Sequence, residues 1–121
     1  MRQSDDKAID DLLADIVHWS ERIEAYILHL YDQAFERSKL VQDAVIRCLE
    51  VVGEASGRIL KIDPDFQVRY PLLELKQAYR ARNRTAHGYG SVSVASIWRS
   101  ATFASPRLAQ EARRGLAARR R

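Results

Sequence analysis

The run 38-SKLVQDAVIRCLEVVGEASGRIL-60 decides how this chain folds. Val41, Val45, Cys48, Val52, Ala55 and Ile59 recur at steps of four and three residues. Side chains return to one face of an α-helix at that period. Ser38 stands where an N-cap side chain accepts from a backbone N–H of the first turn, so the spacing predicts a helix over 39–60. A four-three repeat held over more than two heptads is a helix-packing seam, inside a bundle or between subunits. Gly53 and Ala55 are small enough to let another helix come close.

The same period appears on both sides of this run. Upstream, Ile9, Leu12, Ile16, Trp19, Ile23, Ile27 and Leu30 predict a helix over 5–31 with Ser4 as its N-cap. Asp5, Asp6, Asp10 and Asp11 sit near its positive end, where carboxylates are stabilised. Downstream, 61-KIDPDFQVRY-70 carries an Asp-Pro turn signal. Pro71 suits the first turn of a third helix over 71–87, which Gly88 or Gly90 can stop. Ser93 is placed to cap a fourth helix from Val94, with the stripe Val94, Ile97, Trp98 and Ala101. Ser105-Pro106 reads as a stop and a fresh start for a short basic helix over 106–118. Strand-like alternation appears only at 91-SVSV-94. The expectation is an all-α, antiparallel bundle of four long helices plus a short C-terminal helix. It forms a single domain over 1–112, followed by a basic tail over 113–121.

Composition agrees with one small domain: 121 residues, 46% of them hydrophobic. No stretch approaches the ~18 unbroken apolar residues of a membrane span. The start, MRQSDDKAIDD, is acidic and polar, unlike a secretory signal. The single cysteine, Cys48, excludes an internal disulfide and reads as a small core residue. Together these favour a reducing, cytoplasmic setting. The net charge of +4 is unevenly spread. Residues 1–63 hold 8 Lys/Arg against 13 Asp/Glu, and residues 64–121 hold 12 against 3. Such a split suggests that the second half faces something anionic, nucleic acid first of all. The bland alternative is a solvated basic tail, since 113-RRGLAARRR-121 alone carries five arginines.

The third helix breaks its own pattern. Its stripe Leu72, Leu75, Tyr79 continues at helical spacing into Arg82, Asn83 and Ala86. Either the helix end leaves the core and is solvated, or these polar groups have partners or an open cleft. The segment 81-ARNRTAHGYG-90 gives the second reading its chemistry. Asn83 and His87 are four apart and share a face. Arg82 and Tyr89, seven apart, do so too if the helix end holds. Arg80 and Arg84 add charge around the same turn. A guanidinium, an imidazole, an amide and a phenol in one patch suit a phosphodiester. Arginine grips phosphate oxygens and stabilises charge growing on them. Histidine moves protons near neutral pH, and neighbouring arginines disfavour its charged form. RNA supplies its own nucleophile, the 2′-hydroxyl. The expected products are a 2′,3′-cyclic phosphate and a 5′-hydroxyl.

A metal or cofactor site is not expected. His18, His29 and His87 show no tight ligand spacing with carboxylates, and residues 75–100 include no acid. His18 and His29, eleven apart on the first helix, share a face and suggest ordinary partial burial. P-loop, Rossmann and serine-elbow motifs are absent.

Arg82, four residues, His87, one residue, Tyr89 is a spacing that resembles the motif of HepT-like toxins of the HEPN superfamily. Asn83 directly after the arginine, the Gly-Glu-Ala of 53-GEA-55 within 44-AVIRCLEVVGEA-55, the Pro71 start and Trp98 add to the resemblance. It covers roughly residues 8–110. It implies an all-α homodimer with the motifs of both copies at a shared cleft. It also implies a metal-independent RNA endonuclease, acting as the toxin of a type VII-like toxin–antitoxin system. The implied partner is an MntA-like nucleotidyltransferase antitoxin that adds AMP to the motif tyrosine, here Tyr89. Arg82 would hold the phosphate, His87 would transfer the proton, Asn83 would orient His87 or the RNA, and Arg80 and Arg84 would bind RNA. Arg84, Thr85 and Ala86 depart from the aliphatic residues usual there, and the C-terminus is unusually arginine-rich. Glu54 reads as a helix-packing or salt-bridge residue. Two other readings stay open: a catalytically silent HEPN module that docks a nucleotidyltransferase or nucleotide, and a plain helical dimer that binds nucleic acid non-specifically.

Overall fold

The computed structural model describes residues 3–87 and 92–120, with 85–87 described by backbone alone. All regular structure among the described residues is helical. The element that organises the rest is α3, Lys39–Ile62. Its N-cap is the expected one: Ser38 Oγ accepts from the Val41 N–H at 3.2 Å. Val45, Cys48, Val52, Ala55 and Ile59 of the four-three stripe are buried. They meet α1, Gln3–Ile27, running antiparallel. Ile9, Leu12, Leu13 and Ile16 cluster with Val52, Ala55 and Ile59. At the other end Ile23 clusters with Val45, Ile46 and Cys48. Burial pushes the Cys48 thiol above its ordinary pKa, against the opposing pull of Arg22 and Arg47.

Three boundaries differ from the sequence expectation. First, α1 begins at Gln3, so Ser4 lies inside the helix rather than capping it, and it ends at Ile27 rather than near residue 31. The chain then turns into a short α2, Asp32–Glu36. That turn seats Phe35 at 0% exposure against Trp98, ring centroids 4.9 Å apart. Gln42 Nε2 donates to the carbonyls of Phe35 and Glu36, both at 2.9 Å, and satisfies the end of α2. His29 therefore lies beyond α1 and shares no helix face with His18, and both are exposed.

Second, Pro71 does not open a helix. After a short α4, Phe66–Arg69, it takes the second place of a turn in which the Leu73 N–H donates to the Tyr70 carbonyl at 3.0 Å. The motif helix α5 is Leu75–His87. Its free N–H groups are met from a distance: Gln67 Oε1 accepts from Leu75 at 3.1 Å and Lys76 at 3.3 Å.

Third, Ser105-Pro106 does not stop a helix. Ser93 Oγ caps α6, Val94–Arg99, accepting from the Ser96 N–H at 3.1 Å. A π-helical turn, Ser100–Ala104, then leads without a break into α7, Ser105–Arg119. The Ser105 N–H reaches back five residues to the Ser100 carbonyl. A proline in a helix lacks a donor and crowds the carbonyl four residues back. The widened turn just before Pro106 accommodates it.

Segment 113–119 forms the last turns of α7, antiparallel to α1. Arg119 Nε donates to Asp10 at 2.7 Å, with Asp6 at 3.5 Å, and Arg113 meets Glu21 at 2.8 Å. Burial alone would lower the Arg119 pKa; the Asp10 and Asp6 carboxylates more than offset this and hold it above the ordinary value. Part of the basic excess of the second half thus faces the chain's own acidic first helix. No helix among the described residues is long and apolar enough to cross a membrane.

The remaining packing brings α5 against α3, antiparallel, through two glycines. A Cβ on Gly53 would lie 2.2 Å from Arg82 Cβ and 2.7 Å from the Ala78 carbonyl oxygen. A Cβ on Gly57 would lie 2.4 Å from Cδ1 of Tyr79. Alanine normally favours a helix interior over glycine by about 1 kcal/mol. Here it would strike a Cβ and a carbonyl oxygen, neither of which can swing away, and overpacking of this kind costs about 1–3 kcal/mol. Gly53→Ala is therefore expected to lower the unfolding free energy in urea. An unchanged or higher midpoint would mean that α3 and α5 are not held this close.

Candidate functional site

The motif segment occupies the last turns of α5, and α3 positions it. Because Gly53 has no side chain, the Arg82 stem lies directly against α3. Its Nη2 then reaches Oε1 of Glu54, the next residue of α3, at 3.4 Å. Arg82 Nη1 also donates to Asn83 Oδ1 at 3.3 Å. The Arg82 side chain keeps 32% of its exposure and Glu54 keeps 53%. Both line an open depression of about 360 Å³ with Arg47, Glu50 and Val51. A guanidinium presents its N–H donors in a planar fork, the geometry that matches the oxygens of an anion in that depression.

Glu54 accordingly serves as a salt-bridge partner of the motif arginine, in line with its expected packing or salt-bridge role, though sequence did not name the partner. The available signal was its adjacency to Gly53, the residue over which Arg82 crosses.

The other residues singled out by sequence divide into three groups. Asn83 is half-buried beside Arg82. The backbone of α5 is helical through His87, so positions 83 and 87 stand one turn apart on one face, as the spacing implies. The His87 side chain and all of Tyr89 lie outside the described residues. Arg80 and Arg84 are each two residues from Arg82, and positions two apart on a helix do not face each other. Both are exposed, and they form an i, i+4 pair turned away from Glu54 and the depression. Arg84 instead lines a mostly apolar cavity of about 200 Å³ on the other flank of α5, with Leu49, Val52, Ala81 and Arg107. Among the described residues, no three His, Cys, Asp or Glu side chains gather closely enough to hold a metal ion.

The pattern of the family described as Ribonuclease HepT-like matches residues 16–114, which span the depression and the whole motif segment. The chain is also similar to curated archaeal proteins. "Putative RNase MJ1216" of Methanocaldococcus jannaschii is 31% identical over 103 residues, covering 85% of this chain and 83% of that protein. "Putative RNase MJ0125" of the same organism is 32% identical over 103 residues, covering 85% and 86%. "Probable ribonuclease HepT" of Thermococcus cleftensis is 34% identical over 90 residues, covering 74% and 79%. No solved structure matches the chain.

Half-exposed ion pairs contribute little to stability, typically about 0–1 kcal/mol. The Arg82–Glu54 pair therefore orients the guanidinium more than it holds the fold. Glu54→Gln keeps the side-chain shape and removes the charge. It is expected to shift the unfolding free energy by less than about 1 kcal/mol. A loss several times larger, measured by chemical denaturation, would make Glu54 a structural element of the α3–α5 contact.

Proposed function

The chain belongs to the HepT-like ribonuclease family, and we propose that it is a metal-independent endoribonuclease that cuts RNA through its own 2′-hydroxyl. The observation that carries this reading is the arginine of the matched segment. It is seated over Gly53, pinned by Glu54 and Asn83, and open to a depression large enough for a phosphodiester.

In this mechanism Arg82 donates to the non-bridging oxygens of the scissile phosphate and stabilises the charge that builds there. His87 accepts the proton of the 2′-hydroxyl. The 2′-oxygen attacks phosphorus, the bond to the 5′-oxygen breaks, and the proton given up by O2′ is balanced by one gained at O5′. The products are a 2′,3′-cyclic phosphate and a 5′-hydroxyl, and no water is consumed in the step. Asn83 orients Arg82 and the imidazole or the RNA, while Arg80 and Arg84 add general attraction for the polyanion from the far side of α5.

The same reading extends to regulation. The protein acts in the cytoplasm as a homodimeric toxin, with both copies of the motif at one cleft. It is neutralised when an MntA-like nucleotidyltransferase antitoxin transfers AMP to Tyr89. An added phosphate beside Arg82 would compete with RNA for the guanidinium and fill the space that the substrate needs.

Wild-type protein expressed without a partner should cleave total RNA in excess EDTA and leave 2′,3′-cyclic ends. His87→Ala should lose at least about 100-fold in rate, the usual contribution of a general acid–base, with its helical circular dichroism unchanged. Folded, unmodified wild type that leaves RNA intact would sink the ribonuclease reading. It would transfer the weight to a silent module that docks a nucleotidyltransferase or nucleotide. For regulation, wild type incubated with ATP and a cognate nucleotidyltransferase should gain the mass of one AMP, and Tyr89→Phe should gain none. Equal labelling of both proteins would place the modification elsewhere.

A further inference from the structure

Tyr79 is the stripe residue of α5 that does not go into the core. It is 40% exposed and belongs to neither hydrophobic cluster, whereas Leu75, one turn earlier, is fully buried. Its ring is nonetheless fixed. A Cβ on Gly57 would lie 2.4 Å from Cδ1 and 2.6 Å from Cε1, so that side of the ring rests on the bare backbone of α3 while the remainder is open. Tyr79 also stands three residues before Arg82 and four before Asn83, one turn away on the same helix, where Cβ atoms are about 5–6 Å apart.

The surroundings of this ring are basic. Arg58 follows Gly57 on α3, Lys61 lies one turn further along that helix, and Lys76 precedes Tyr79 by three residues on α5. All three are exposed, and none enters an ion pair among the described residues. An aromatic ring held rigid and half open, within a strip of cations and one turn from a phosphate-binding arginine, is the arrangement by which proteins take single-stranded nucleic acid. The ring stacks a base, and the cations follow the backbone.

We propose that Tyr79 is a base-stacking platform that holds the nucleobase next to the scissile phosphate, so that the RNA strand runs from Arg82 along the α3–α5 seam toward Arg58 and Lys61. This rests on the ribonuclease reading and adds a positioning residue to it. The stack sets where the strand lies relative to Arg82, and it tolerates any base because every base presents a π face.

The test separates stacking from folding and from catalysis. Tyr79→Leu removes the ring but keeps apolar cover on Gly57, and Tyr79→Phe keeps the ring without its hydroxyl. Thermal melts establish that each variant is folded. Each is made in the His87→Ala background, so that RNA survives the titration. A labelled short single-stranded RNA and an abasic ribose-phosphate oligomer of the same length are the two probes.

Tyr79→Leu should weaken RNA binding by about 5- to 100-fold, the range that one base–aromatic stack supplies. Tyr79→Phe should bind within about twofold of the parent, and the abasic oligomer should bind all three proteins alike. With His87 restored, Tyr79→Leu should raise KM more than it lowers kcat.

RNA binding unaffected by Tyr79→Leu would overturn the stack while leaving the ribonuclease reading in place. An equal loss on the abasic oligomer would do the same and reduce Tyr79 to a prop for Arg82. A parent protein that binds no RNA at all would bring down the ribonuclease reading itself, and this proposal with it.

Discussion

The contact on which the rest depends is the close crossing of α5 over two glycines of α3. Helices usually pack with their axes 8–10 Å apart because side chains stand between them. At Gly53 nothing stands between them on the α3 side, and the Arg82 stem fills the place a Cβ would take. That single omission has two effects. It locks the motif helix to the central rod, and it delivers the guanidinium of Arg82 to Glu54, the residue next to the glycine. Packing and site geometry are therefore the same constraint. The opposite, buried face of α3 is spent on α1, where Val52, Ala55 and Ile59 meet Ile9, Leu12, Leu13 and Ile16. One helix thus holds the core with one face and presents the motif with another.

Charge is partitioned along the same lines. The acidic first half and basic second half of the sequence meet across α1 and α7, where Arg119 is held by Asp10 and Asp6 and Arg113 by Glu21. Exposed pairs of this kind contribute about 0–1 kcal/mol each. Arg119, whose side chain is only 13% exposed, is the most sheltered arginine in these pairs. These contacts remove two of the C-terminal arginines, Arg113 and Arg119, from any argument about an external polyanion. Exposed cations outside these ion pairs include Arg58, Lys61, Lys76, Arg80 and Arg84, and also Arg37, Lys39, Arg47, Arg99 and Arg107. Arg58 and Lys61 lie on α3 beyond Gly57, and Lys76, Arg80 and Arg84 lie on α5.

Much of the bundle was legible in the sequence because the signals were local. Ser38 and Ser93 cap the helices they precede, and the four-three stripe of α3 is buried from Val45 to Ile59 as its spacing implied. The misread boundaries were each settled by contacts distant in sequence. Phe35 needed a seat against Trp98, so α1 ended early. Gln67, eight residues upstream, met the first N–H of α5, which freed that helix from starting at Pro71. A π turn absorbed Pro106, which local rules treat as a break. The site divides in the same way. The one-turn spacing of positions 83 and 87 on α5 could be read directly, because helix geometry alone fixes it. The pairing of Glu54 with Arg82, the turning of Arg80 and Arg84 away from it, and the open ring of Tyr79 depend on where α3 crosses α5. Sequence spacing does not encode that crossing.

On the ribonuclease reading, the carboxylate beside Arg82 calls for a physical account, since a negative charge next to a phosphate-binding group opposes the ligand. The magnitudes allow it. At 3.4 Å, with its carboxylate side half exposed, the Glu54 contact is a weak ion pair screened by water. A phosphate diester can engage a guanidinium through two parallel charge-assisted hydrogen bonds, roughly twice as strong as neutral ones. The incoming phosphate can therefore displace Glu54 into solvent at small cost. In return, an otherwise flexible arginine waits in a narrow range of orientations, and less side-chain entropy is lost when substrate arrives. A buried, tightly paired arginine would have been costly to recruit. An unpaired, mobile one would have been costly to order. A half-exposed arginine crossing a glycine and resting on a half-exposed glutamate lies between those limits.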